Sequence, residues 1–175
     1  MRLDLPEPSL VLLIGPAGCG KTTFAARHFR PTEVLSSDSF RGMVADDERD
    51  LAATDDAFDV LHLVAAKRLR AGRLTVVDAT NVQPEARRPL LELARHHQRP
   101  AVGVVFDLPE ATCQAWNLRR QRPIPREAIR RHVQLLRGSR PLLDYEGFAR
   151  LYVIGSAAEL DQVAVARLPA AREPG

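Results

Sequence analysis

Eight residues, Gly15-Pro16-Ala17-Gly18-Cys19-Gly20-Lys21-Thr22, place glycines, a lysine and a hydroxyl at the spacing G-x-x-x-x-G-K-[S/T]. An apolar run, Leu10-Val11-Leu12-Leu13-Ile14, leads into them, and a helical pattern through Phe24, Ala25 and His28 follows Thr23. Strand, glycine-rich loop and helix in that order form a cradle for phosphates. Glycines let backbone N–H groups close around an anion with no Cβ in the way. The helix start adds unpaired donors and the positive end of its dipole. Lys21 supplies a point charge for the outer phosphates, and the Thr22 hydroxyl is a ligand for Mg²⁺.

Two further groups lie at the ends of apolar runs, and a third is an arginine-rich segment. Ser36-Ser37-Asp38-Ser39-Phe40-Arg41 follows Val34-Leu35. There Asp38 can accept a proton from an attacking hydroxyl, and Arg41, one helical turn on, can hold an anionic group of the same acceptor. A helix cap at Asp38 with a surface Arg41 is the plainer alternative. Asp78-Ala79-Thr80-Asn81 follows Leu74–Val77. Asp78 at that place can join Thr22 in the Mg²⁺ shell, with Thr80 and Asn81 as short polar groups for the acceptor; an ordinary strand-to-helix turn is the alternative. The last group is basic: Arg119, Arg120 and Arg122, then Arg126, Arg130 and Arg131. Arginines on a mobile element can close over a triphosphate, track a nucleic-acid backbone or simply be solvated.

The elements that must position these groups alternate. Apolar runs at 10–14, 34–35, 74–77, 101–106 and 151–154 lack polar interruption, as strands buried on both faces do. Helical patterns fall between them. Thr54 can cap one that ends near Gly72; Pro84, Pro109 and Pro125 can each start another; Ser156 to Glu159 reads as a capping box. A βαβ series predicts a doubly wound α/β fold with ligands at the carboxyl ends of the strands.

With 175 residues the chain fits one domain, 1–167, leaving 168–175 as a tail or linker stub. No apolar run approaches the ~20 residues of a membrane span. The first residues lack the apolar core of a signal peptide. Cys19 and Cys113 are too few for a disulfide framework, and no Cys/His spacing suggests zinc. A cytoplasmic protein with no membrane partner is the expectation. Net charge is only +3, but it is polarised. Eight arginines stand against one acid between Arg119 and Arg140, and seven acids against one base between Asp46 and Asp59.

Taken together, the phosphate loop, Ser-Ser-Asp-Ser-Phe-Arg with its acidic Asp46-Asp47-Glu48 follow-on, and Val76-Val77-Asp78-Ala79-Thr80-Asn81-Val82 resemble one family. It is the 5′-hydroxyl polynucleotide kinase family, most closely the kinase domain of bacterial polynucleotide kinase-phosphatases. The similarity runs over roughly residues 9–155, through Val105–Glu110 and Glu146-Gly147-Phe148. It implies a P-loop kinase with a five-stranded sheet in the order 2-3-1-4-5 and an arginine-rich helical lid at about 113–138. It implies transfer of the γ-phosphate of ATP or another NTP, with Mg²⁺, to the 5′-OH end of DNA or RNA. Gly15, Pro16, Ala17, Gly18, Cys19, Gly20, Lys21, Thr22 and Thr23 would bind the nucleotide together with lid residues Arg119, Arg120 and Arg122. Asp38 would be the general base, Arg41 would grip the phosphate 3′ to the acceptor nucleotide, and Lys21 and Arg120 would act on the transferred group. The family pattern Arg-Asn-x-x-Arg is altered here: Trp116 stands at its first arginine and Arg120 at its second. Fusion to, or association with, other end-repair domains is the partnership this resemblance suggests. A kinase of a small-molecule hydroxyl and a nucleotide-gated switch are the two other readings.

Overall fold

The computed structural model describes residues 1–169. Five parallel strands form the central sheet: β2 (Leu10–Ile14), β3 (Val34–Ser36), β4 (Thr75–Asp78), β5 (Ala101–Phe106) and β6 (Arg150–Ile154). Their order is β3-β4-β2-β5-β6, which is 2-3-1-4-5 when these five are counted along the chain. Each is joined to its successor through helices α1 (Lys21–His28), α2 (Ser37–Ala45), α3 (Thr54–Arg70), α4 (Pro84–His96), α5 (Glu110–Asn117) and α6 (Arg126–Ser139). The short α7 (Ala157–Asp161) follows β6.

Strand β2 shows why the apolar runs are unbroken. Leu10, Leu12 and Ile14 pack in one core with Leu61 and Leu69 of α3 and Leu90 and Leu91 of α4. Val11 and Leu13, pointing the other way, pack with Phe24 of α1, Cys113 of α5 and Ile129 of α6. A strand covered on both faces has no polar side to show. Helix ends follow local chemistry as well. Helix α3 closes through Gly72 at φ +64°, whose N–H reaches Leu69, while Arg73 N–H reaches Arg68. Thr54 is the first helical residue of α3, not its side-chain cap. Ser156 caps α7 by accepting from Glu159 N–H, and the Glu159 carboxylate reaches back to Gly155 N–H.

A second, two-stranded parallel sheet pairs the first strand with the last described one. Strand β1 (Arg2–Glu7) pairs with β7 (Ala164–Pro169) in the register Arg2 to Ala164 through Glu7 to Pro169. Leu168 and Pro169, expected in a tail, are therefore the end of a strand, because their backbone finds a partner in Pro6 and Glu7. Residues 170–175 of that expected tail lie outside the described residues. Among the described residues, no helix is long and apolar enough to cross a membrane.

Candidate active site

The crevice lies at the carboxyl ends of β2, β3 and β4, where three chain turns meet. The phosphate loop leaves β2 at Gly15, and its path is narrow. A Cβ on Gly15 would stand 2.8 Å from Phe106 Cβ. Gly15 N–H donates to Thr80 C=O at 2.8 Å, so this loop is tied to the turn after β4 at its first residue. Lys21 opens α1 and folds back over the loop; its Nζ donates to Gly15 C=O at 3.0 Å and Pro16 C=O at 2.6 Å. The ammonium thus sits inside the concavity where phosphate charge would collect.

Thr22, one residue on, donates its hydroxyl to Asp78 Oδ2 at 2.7 Å. These are two hard oxygen donors from different elements at one point. Mg²⁺ takes few protein ligands and keeps several waters, so this pair fits it. Among the described residues, no cluster of three or more His, Cys, Asp or Glu side chains suits a metal. Burial pushes the Asp78 carboxyl above its ordinary pKa; Lys21 and the Thr22 hydrogen bond pull it down. The charges of Asp38 and Arg120 also act on it, upward and downward respectively.

Asp38 and Arg41 lie one turn apart on α2. Ser36, not Asp38, caps that helix, accepting from Ser39 N–H, which leaves the Asp38 carboxylate free of capping duty. It forms an ion pair with Arg41, with side-chain exposures of 54% for Asp38 and 12% for Arg41. Arg41 Nε is anchored on Glu48 C=O at 2.8 Å, so the acidic segment holds the guanidinium against the helix.

Arg119, Arg120 and Arg122 are exposed on the turn between α5 and α6. Among the described residues, their side chains have neither hydrogen-bond nor ion-pair partners. Asn117 closes this turn by bracketing Ile124: its amide donates to Ile124 C=O at 2.8 Å and its oxygen accepts Ile124 N–H at 2.9 Å. Arg49 reaches from the acidic segment to Arg122 C=O at 3.2 Å, linking the two sides of the crevice.

Asn81 departs from its expected role. It is buried at φ +49°, and its amide donates to Leu13 C=O of β2 at 2.9 Å. Its main-chain carbonyl accepts from Arg87, which is fully buried. Arg87 forks onto Glu146 at 2.7 and 2.5 Å, and Ser139 at the end of α6 donates to Val82 C=O at 2.5 Å. The turn after β4 is thus held from beneath by α4, α6 and Glu146. Thr80 stays partly exposed beside it. Arg87 escaped sequence reading, although the signal was present: it sits three and four residues before Leu90 and Leu91, on the apolar stripe of α4.

His132 of α6 is the other residue the sequence did not flag. Its Nδ1 accepts Ala17 N–H of the phosphate loop at 3.4 Å. Burial depresses its pKa, and the charges of Lys21 and Arg131 depress it further. Cys19 is packing: burial pushes its thiol up, and that of Cys113 up to about 12, so neither is a reactive thiolate.

A lysine-filled glycine loop at a helix start, whose next residue bonds its hydroxyl to the carboxylate that ends the neighbouring strand, is a P-loop of the nucleotide-binding class. More particularly, the chain belongs to the AAA domain family, whose sequence profile matches residues 10–142. A 51-residue segment is 41% identical to a phosphate import ATP-binding protein, PstB 3, of Streptococcus pneumoniae serotype 4, covering 29% of this chain and 20% of that relative. The chain therefore spans about a fifth of the curated relative it matches. Solved structures of similar fold include the Pnkp1/Rnl/Hen1 RNA repair complex, with TM-score 0.66 and 23% identity over 77% of this chain and 46% of that one. A gluconokinase from Sinorhizobium meliloti 1021 has TM-score 0.57 and 19% identity, covering 90% and 87% of the two chains.

Proposed function

We propose that this domain is a polynucleotide 5′-hydroxyl kinase. The observation that carries the reading is the Asp38–Arg41 ion pair in the first turns of α2, directly after the carboxyl end of β3. A carboxylate beside a phosphoryl donor serves a hydroxyl acceptor. A guanidinium held one turn away serves an acceptor that also carries an anion, as a 3′-phosphorylated nucleotide does and a plain sugar does not. The similarity to a chain of an RNA repair complex supports the same reading.

In this mechanism Lys21 and the loop amides hold the β- and γ-phosphates. Thr22 and Asp78 would hold Mg²⁺, which supplies charge neutralisation for the phosphates. Asp38 takes the proton of the 5′-OH as its oxygen bonds to the γ-phosphorus. The bond from that phosphorus to the β–γ bridging oxygen breaks, and the nucleoside diphosphate leaves. Arg41 fixes the acceptor through its 3′ phosphate, and Arg120 meets charge on the transferred group. Arg119 and Arg122 bind the donor from the same turn. DNA or RNA 5′-OH ends are the acceptor partners, and association with other end-repair domains follows from the same resemblance.

The test compares a nucleoside with its 3′-phosphate as acceptors, using labelled ATP. Wild type should prefer the 3′-phosphate by roughly ten- to a hundredfold in kcat/KM, the worth of one charge-assisted contact. Arg41→Ala should erase most of that preference, whereas Arg120→Ala should slow both acceptors alike. The gluconokinase likeness favours a second reading, a small-molecule kinase. Indifference of wild type to the 3′ phosphate, with turnover of a sugar in the same panel, would move that reading ahead.

A further inference from the structure

Asp38 and Arg41 stand on the β3 side of the phosphate loop, and Asp78 closes β4 beside them. For transfer, the γ-phosphate must face these residues. The nucleoside end of the donor then leaves on the opposite side, toward β5 and β6. Trp116 of α5 and Leu160 of α7 stand there, partly buried in the same apolar cluster. Both touch the loop: a Cβ on Gly20 would lie 3.2 Å from the indole Cζ3 and 3.3 Å from Leu160 Cδ2. Gly20, at φ +90°, directly precedes Lys21, so the indole rests against the backbone that carries the phosphate-binding amides.

We propose that Trp116, backed by Leu160, is the platform on which the nucleobase of the donor stacks. Everything the loop binds through charge is shared by all triphosphates, and an indole adds a π-face that any base can cover. Stacking reads area, not the hydrogen-bonding edge, so purine triphosphates should bind better than pyrimidine ones, with little distinction between adenine and guanine. The same segment thus serves both ends of the donor: Trp116 the base, and Arg119, Arg120 and Arg122 the phosphates. The inference rests on the loop being a nucleotide donor site, and a probe without a base tests that part separately.

Trp116 is the only tryptophan, so intrinsic emission reports on it alone. Wild type, Trp116→Ala and Trp116→Phe are titrated with ATP, GTP, CTP, UTP and inorganic tripolyphosphate, each with Mg²⁺. The nucleotides should change the emission of wild type at saturation, and tripolyphosphate should not. By calorimetry, Trp116→Ala should bind ATP between about fivefold and a hundredfold more weakly, the usual worth of one stacked base, with tripolyphosphate affinity unchanged. Trp116→Phe should retain most of the ATP affinity. Equal losses for ATP and tripolyphosphate in Trp116→Ala would overturn the platform and leave the indole as a support for Gly20. Unchanged emission at saturating ATP would overturn it as well, on wild type alone. If wild type binds neither ATP nor tripolyphosphate, the donor reading fails, and the platform with it.

Discussion

At the scale of single residues, the groups proposed for the donor and for the acceptor differ in their surroundings. Lys21 is enclosed by the loop it serves, with Nζ between the Gly15 and Pro16 carbonyls. Asp38 is exposed and pairs with Arg41. Lys21→Ala should therefore weaken nucleotide binding and abolish transfer together. Asp38→Asn should keep ATP affinity and lose single-turnover transfer by a factor on the order of 10²–10⁴, the contribution of a positioned base. Calorimetry and rapid-quench assays on the two variants check this. Near-normal transfer by Asp38→Asn would remove Asp38 from the role. The opposite fates of Asp38 and Asn81 show why residue type alone is a weak guide. Each follows a strand end, but Asn81 turns inward to Leu13 and Arg87, while Ser36 relieves Asp38 of capping.

At the scale of elements, α6 connects the arginine turn to the floor of the crevice. Ile129 approaches Gly18, His132 accepts from Ala17, and Ser139 holds Val82. The bond at Ala17 needs a neutral imidazole with Nδ1 as acceptor. The folded pKa of His132 lies below the 6.5 of an unstrained histidine, because burial, Lys21 and Arg131 all disfavour imidazolium. In the window between the two values the unfolded chain binds more protons, so stability rises with pH there. The contribution is complete above the unfolded pKa and is lost as pH falls through the folded one. Replacing His132 by Gln should shrink the drop in Tm between about pH 7.5 and about pH 5.5. His28 and His62, also depressed by burial, remain as a common background in both proteins. An identical pH dependence of Tm in wild type and variant would show that α6 does not couple protonation to the loop.

At the scale of the whole molecule, the first strand is paired with the last described one. Strand β7 lies beside β1, and Arg167 of β7 forks onto Glu33 at 2.8 and 2.7 Å, just before β3. The Arg167 hydrogen bonds hold the Glu33 carboxyl below its ordinary pKa against the opposing push of burial. Arg167→Met would leave a buried carboxylate with only the Arg30 amide as donor. The expected loss is about 1–3 kcal/mol in urea unfolding, below the range for fully buried pairs because Arg167 is partly exposed. Transfer activity per folded molecule should be unchanged. A loss within about 0.5 kcal/mol would mean that the pair contributes no more than an ordinary surface contact.

The phosphate loop, the five-stranded sheet and its helices were legible because their signals are local: unbroken apolar runs, a fixed glycine and lysine spacing, prolines at helix starts. Thr22, Asp38 and Asp78 could be proposed as site residues for the same reason, since each lies within two residues of a strand or loop end, and Arg41 stands one helical turn beyond Asp38. Strand β1 carried a readable alternation, Arg2-Leu3-Asp4-Leu5, but a strand exists only with a partner, and its partner lies at the other end of the chain. Arg87 could be flagged as a charge on an apolar stripe, but what satisfies it, Glu146 and the Asn81 carbonyl, comes from distant elements. Trp116 read as a missing lid arginine until tertiary packing set it against Gly20. The sequence by itself determined which backbone segments form and which reactive groups cap them, because those depend on neighbours along the chain. Only the tertiary structure decided which polar groups stay free for chemistry, because a side chain is free only when no distant partner has claimed it.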